Sequence, residues 1–339
     1  MPVLLKSSIY EGSRTVERPY LGASLLAIGI PTIFFYIICL GVMLQKKLRQ
    51  TTCYKIMIYL GVIDVGAILI NCLMTGVLYN QGAFFCTYPD LIYLSGSLAL
   101  SFWCCSCITC FVLVINRLYN LWTASAANQF KKADPTWRAV VCLTVPTAYL
   151  LYFLLFTTPP LFNSDKSAWF FDPFIPNRQT RLSFNNYSHT VNNLLIVFVT
   201  TFSYIGFVVL LRSKYRKHGQ KFSLFKANPI IIQAVMMCFF NLIAAMVYVY
   251  MNYFPMWPPL IVIGHYCWVF GHACPPYLYF YLNPTIRRRL KRVFGCGTRV
   301  VPRTILPPRD RSASMRAQTV EELNLPHLMK FEKALESEA

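Results

Sequence analysis

The residue in this sequence that concentrates the most chemistry is Asp64. It is the one formal charge inside a long apolar stretch, Ile56–Tyr79. An ionisable group at mid-depth of such a stretch is expensive and marks a functional position by default. It can hold a cation, take a proton during a conformational change, or pair with polar neighbours, and the sequence leaves all three open. His265 and His272 stand seven residues apart, which puts them on one helical face two turns apart. They can line a ligand cavity or hydrogen-bond between helices. Cys104, Cys107 and Cys110 also share a face, with Cys105 beside them. Zinc takes tetrahedral ligands from converging elements, and this run has no acidic partner. We read it as small, polarizable packing surface, with no metal and no other cofactor. Arg117, in Asn116-Arg117-Leu118-Tyr119, reads by composition as a cation reaching from the end of an apolar stretch to its polar boundary. Asp64 has no second carboxylate and the histidines no nucleophile, so an enzyme is not expected.

The elements that position these residues follow from composition. Of the 339 residues, 56% are hydrophobic and 13% charged, where a soluble chain is about a quarter charged. Mean hydropathy is +0.45. Seven stretches of 20 to 26 residues are apolar: Leu21–Leu44, Ile56–Tyr79, Leu91–Asn116, Ala139–Thr158, Val191–Leu211, Ile230–Phe254 and Ile261–Leu282. About 20 residues of helix cross the hydrocarbon core. Membrane strands would alternate polar with apolar, and these do not. The expectation is an all-α membrane protein, a seven-transmembrane helix bundle. Pro275-Pro276 in the seventh span predicts a local break or kink.

Charge sets the orientation. The connections after spans one, three and five, with the basic run Arg287–Arg292, carry nineteen Lys and Arg, against six on the opposite side. By the positive-inside rule the N-terminus is outside and the C-terminus cytoplasmic. The bases then face the anionic inner leaflet, which removes the case for nucleic acid. No short apolar segment with a cleavage site precedes span one, so an uncleaved signal-anchor is expected. The organisation reads as an extracellular tail (1–20), a seven-transmembrane domain (21–296) and a cytoplasmic, largely disordered tail (297–339). Within the second of these, Asn283–Phe294 suits a short amphipathic helix on the inner leaflet. Asn186-Tyr187-Ser188 is a glycosylation acceptor on the outer side, and Cys296 is placed for palmitoylation. Cys86 is the one candidate in an outer loop, without an obvious disulfide partner.

These features resemble the rhodopsin-like G-protein-coupled receptors. Tyr59–Asp64 looks like the helix-two aspartate motif, Asn116-Arg117-Leu118 sits where that superfamily carries Asp-Arg-Tyr, and Pro275-Pro276-Tyr277-Leu278-Tyr279 where it carries Asn-Pro-x-x-Tyr. A closer resemblance, over nearly the whole chain, is to the nematode serpentine receptor class T chemoreceptors. It is carried by Ser13-Arg14-Thr15, Arg18-Pro19, Cys53–Met57, Cys86-Thr87-Tyr88-Pro89, Ala168–Phe174, His189–Asn193 and Tyr248–Met251. The sequence departs from the superfamily pattern in several places. Asn116 replaces the acidic neighbour of the arginine, span six has no proline, and the loop after span four has no cysteine.

The resemblance implies a chemosensory receptor in the plasma membrane, sensory cilium included. A small molecule would bind in the outer half of the bundle, with Trp103, His265 and Trp268 toward the cavity. A heterotrimeric G protein would engage the cytoplasmic face, and membrane lipids surround the bundle. Asp64, Ser106, Arg117, Pro276 and Tyr279 take the activation and signalling positions. Asp64 and Ser106 match members of a sodium pocket, but Pro275 replaces a further polar member. The rival reading is a ligand-gated ion channel of chemosensory type, although the familiar seven-span form has its N-terminus inside. A retinal-binding protein is excluded because no span holds a lysine, and a transporter would show internal repeats. The aromatic loop Pro159–Thr190 is expected to fold over the pocket as a lid.

Overall fold

The structure, a computed structural model, describes residues 15–126, 136–172, 184–217 and 229–293. Cys296 and the tail after it lie outside these residues. Proline opens the first helix: Pro19 starts α1 (Pro19–Met43), where a missing N–H costs nothing. Thr51 caps α2 (Thr52–Ile68) with its side chain. The helix then widens into a π-helical segment, Leu69–Met74, and resumes as α3 (Thr75–Asn80). The long α4 (Pro89–Ala126) is followed by α5 (Thr136–Phe156). A short antiparallel hairpin comes next, β1 (Leu161–Asn163) and β2 (Ala168–Phe170), in which Phe162 pairs with Trp169. The remaining helices are α6 (Tyr187–Lys217), α7 (Pro229–Tyr253), α8 (Pro258–Leu282) and α9 (Pro284–Val293).

Among the described residues, six helical stretches are long and apolar enough to cross a membrane, α2 and α3 counting as one continuous span. The seventh, α8, has the length, 25 residues, but carries two histidines and four prolines. Its surroundings explain why it can be less apolar. Twelve of its residues are buried, because it packs against α7, α1 and α2 and has α9 at its end. A helix wrapped by other helices needs little lipid-compatible surface. The opposite case is α6, whose Leu195, Phe198, Phe202 and Ile205 all face outward. Such a ridge is untenable in water and suited to hydrocarbon.

The central element is α4, two-thirds buried over its most apolar window. It packs against α2, α5, α6 and β1, so its Cys104, Cys105 and Cys107 lie fully inside. Small thiols there let neighbours come close. The Cys105 thiol donates to the Pro146 carbonyl of α5 at 3.5 Å. The cysteine run therefore works as packing surface in this fold.

Two local features differ from the sequence reading. No break occurs at Pro275-Pro276, one of the two outcomes expected there: α8 runs through both prolines, which are buried. Packing on several sides holds the segment helical despite the lost N–H groups. The π segment in span two had no sequence signal. Its wide turn lets the Thr75 hydroxyl donate to the Ile70 carbonyl at 2.8 Å and frees the Asn71 carbonyl for a partner on α8. π segments of this kind occur often at functional sites.

The basic amphipathic helix α9 is anchored by its first residues and its apolar face. Asn283 Oδ1 accepts from the backbone N–H groups of Thr285 and Ile286, each at 3.0 Å, an N-cap ahead of a helix-opening proline. Ile286 and Leu290 are fully buried against Met43, Tyr54, Met57 and Tyr279. Asn283→Ala should therefore destabilise the receptor by about 1 kcal/mol, while Asn283→Asp keeps the cap. Thermal unfolding of the two detergent-solubilised variants checks this; equal midpoints would contradict the capping role.

Candidate functional site

Asp64 is the polar centre of the bundle, 1% exposed. A carboxylate only accepts hydrogen bonds, and three helices supply donors. The Tyr36 hydroxyl of α1 donates to Oδ2 at 2.6 Å. From α8, His272 Nδ1 lies 2.7 Å from Oδ1, and from α4 the Ser106 hydroxyl donates to the same oxygen at 3.4 Å. His272 Nδ1 therefore carries a proton. Of the roles left open for Asp64, pairing with polar neighbours is the one this geometry realises. Where the resemblance implied a sodium pocket, the Tyr36 and Ser106 hydroxyls and His272 Nδ1 lie against the carboxylate oxygens.

The cavity lies between this centre and the hairpin. Its empty space, open solvent included, is about 380 Å³, and its wall includes Leu100, Trp103, Trp169, Asn193, Tyr248 and Trp268. Trp103 and Trp268 are both part of this wall. His265 is not on the wall. It sits one layer behind, 2% exposed, with Nε2 3.2 Å from the Asn71 carbonyl of the π segment. A carbonyl only accepts, so Nε2 holds the proton and Nδ1 accepts from the Tyr248 hydroxyl at 3.4 Å. His265 positions Tyr248 and stands edge-on to Trp268, ring centroids 5.5 Å apart.

The hairpin closes the cavity from above, as expected of the lid loop. Trp169 is buried, its indole N–H donating to Thr75 Oγ1 at 3.2 Å, and Pro160 and Phe171 complete the wall beside it. Arg18 holds the turn through the Asp165 carbonyl at 3.1 Å. Gly96 makes the approach possible, since a Cβ there would lie 2.0 Å from the Pro160 carbonyl oxygen.

Polar wall residues to which the sequence reading gave no ligand-binding role include His189, Asn193 and Tyr248. Two adjacent amides, Asn192-Asn193, inside an apolar span were the available signal. The Trp103 indole N–H donates to Asn193 Oδ1 at 2.9 Å, and Asn193 Nδ2 lies 3.1 Å from His189 Nε2. Asn186 serves this end as well. Its Oδ1 caps α6 by accepting from the His189 N–H at 2.8 Å, and its Nδ2 donates to the Thr158 carbonyl at 2.9 Å. The nitrogen that a glycan would occupy is thus engaged on a buried side chain.

Arg117 lies at the opposite, basic end. It is 4% exposed, inside the bundle rather than reaching outward as an anchor. Asn116 does not pair with it. Its Oδ1 accepts from Arg138 Nη2 of α5 at 3.0 Å, and the Arg138 guanidinium lies 4.1 Å above the Tyr119 ring. Tyr279 is fully buried in the cluster that receives α9, with no hydrogen-bond partner for its hydroxyl among the described residues. The Pro276 carbonyl accepts a weak bond from the Cys39 thiol at 3.8 Å. Asp64, Ser106 and Trp103 therefore belong to one connected group, and Arg117, Pro276 and Tyr279 lie toward the basic end.

A seven-helix bundle with a lidded aromatic cavity at one end and a buried arginine at the other defines a receptor of the serpentine type. The sequence profile of the serpentine type 7TM GPCR chemoreceptor Srt family matches residues 6–301, and the chain belongs to that family. It is also similar to serpentine receptor class T-55 of Caenorhabditis elegans, 23% identical over 269 residues, which cover 77% of this chain and 69% of that protein.

The Asp64–His272 pair should be tightly coupled. Removing one partner of a buried pair costs about 3–5 kcal/mol. His272→Ala should therefore lower thermal stability strongly, and Asp64→Asn combined with His272→Ala should cost less than the two single changes added together. A double-mutant cycle on the purified receptor measures this; strict additivity would remove the pair as a structural unit.

Proposed function

We propose that this protein is a chemosensory G-protein-coupled receptor. A small molecule binds in the cavity under the hairpin, and a heterotrimeric G protein is activated at the basic end; the chain performs no catalysis. The nineteen-to-six distribution of bases supports an orientation with the hairpin outside and α9 on the anionic inner leaflet. The location is the plasma membrane, sensory cilium included.

The observation that carries the reading is the connection between cavity and polar centre. Trp103 is part of the cavity wall and stands edge-on to His272 with centroids 6.0 Å apart, and His272 is bonded to Asp64. Asp64 is held by α1, α4 and α8 together. A ligand that presses on Trp103 changes the packing around a group bonded to all three of these helices. It shifts the bundle between two arrangements only in proportion to its differential affinity for them. Opening of the basic end then exposes Arg117 to the G protein. The channel reading has no comparable support, since nothing in the wall geometry calls for a pore.

The test is a second-messenger reporter assay in cells expressing the wild type or Arg117→Ala, with surface level and membrane current recorded in parallel. The expected result is a small-molecule response abolished by Arg117→Ala at equal surface level. A ligand-evoked current without second-messenger change, indifferent to the substitution, would favour the channel instead.

A further inference from the structure

The chemistry of the cavity wall narrows the class of ligand, on the reading that this cavity is the ligand site. No Asp, Glu, Lys or Arg lies on the wall among the described residues. A formal charge entering it would lose its hydration and meet no counter-ion. The empty space within the wall, open solvent included, is about 380 Å³, which leaves room for a small occupant alone. The occupant is therefore compact and uncharged.

Its polarity follows from which wall groups already have partners. The Trp103 N–H is given to Asn193, the Trp169 N–H to Thr75, and the Tyr248 hydroxyl to His265. An indole N–H can only donate, so the Asn193 atom facing Trp103 is its oxygen. The Asn193 amide nitrogen then donates to His189 Nε2 and, at 3.4 Å, to the Ala245 carbonyl. His189 Nε2 is thus an acceptor, and the ring proton of the neutral imidazole sits on Nδ1. That Nδ1–H has no partner among the described residues, and neither has the Trp268 indole N–H. Both rings are part of the wall. The spare hydrogen-bonding capacity of the wall side chains among the described residues is two N–H donors and the acceptor capacity of the Tyr248 hydroxyl oxygen.

We propose that the ligand is a compact, uncharged carbonyl compound, of the ketone, ester or lactone class, whose oxygen takes up the N–H of His189 or Trp268 while its hydrocarbon part packs on the aromatic wall. A hydrocarbon of the same shape leaves both donors unsatisfied, and an ammonium or carboxylate has no countercharge.

The experiment uses the full chain in the reporter cells, with cyclohexanone, methylcyclohexane, cyclohexylamine and cyclohexanecarboxylate as a shape-matched series. Aliphatic ketones, esters and lactones of graded size are tested alongside. Agonists should come from the carbonyl set. His189→Phe and Trp268→Phe should each weaken them about tenfold or more wherever the lost N–H is the one used, at unchanged surface level. Surface staining separates misfolding from lost recognition, and Leu100→Trp and Ala244→Leu, which fill the cavity, are the control arm. Agonists found among the amines or carboxylates, abolished by the filling variants but indifferent to His189→Phe and Trp268→Phe, overturn the ligand class and leave the cavity reading standing. Carbonyl agonists unaffected by the filling variants overturn the cavity reading itself. Silence of the whole carbonyl set counts against the proposal.

Discussion

A carboxylate buried in an apolar bundle must be provided with donors, and most of this structure can be understood from how that is done for Asp64. Water cannot supply them at this depth, and an unpaired charge would cost several kcal/mol. The donors come instead from Tyr36, Ser106 and His272, on three different helices. Each bond fixes the rotation of a helix whose outer surface is uniformly apolar and would otherwise slide against lipid without preference. Hydrophobic burial gives membrane helices little reason to choose one face over another. A central polar group supplies that choice.

The same group divides the molecule into two working ends. Toward the hairpin, Trp103 leans on His272 and forms the wall of the cavity. Toward the basic end, Tyr279 and Arg117 are buried beside the segment that receives α9. The hairpin end is further tied by the π segment, whose freed carbonyl holds His265 and through it Tyr248. The polar centre thus touches the hairpin end directly, through His272 against Trp103.

The departures from the wider receptor superfamily have local explanations here. With Asn116 in place of an acid, the bond made is to Arg138 of the neighbouring helix, so α4 and α5 are fastened where an internal ion pair would otherwise form. The imidazole of His272 sits against the carboxylate where the resemblance implied sodium. The hairpin is fastened without a disulfide by Arg18, Thr75 and the close approach at Gly96.

Much was legible in the sequence because it depends on one dimension only. The length and apolarity of each span follow from hydrocarbon thickness, and the marked status of Asp64 follows from charge at that depth. The amphipathic pattern of Asn283–Phe294 is equally local. What stayed hidden depends on how the spans are turned toward one another. His265 and His272 share a face and a spacing that make them equivalent in the sequence, yet one meets the Asn71 carbonyl and the other the Asp64 carboxylate. The widened turn at Leu69–Met74, the unbroken passage of α8 through two prolines and the His189–Asn193–Trp103 chain were likewise decided by packing. The chain by itself determined which segments enter the membrane and that a charge must be satisfied there. Only the tertiary structure decided which groups satisfy it, because hydrogen-bond partners are chosen by the rotation and depth of neighbouring helices, and no periodicity along a single helix records those.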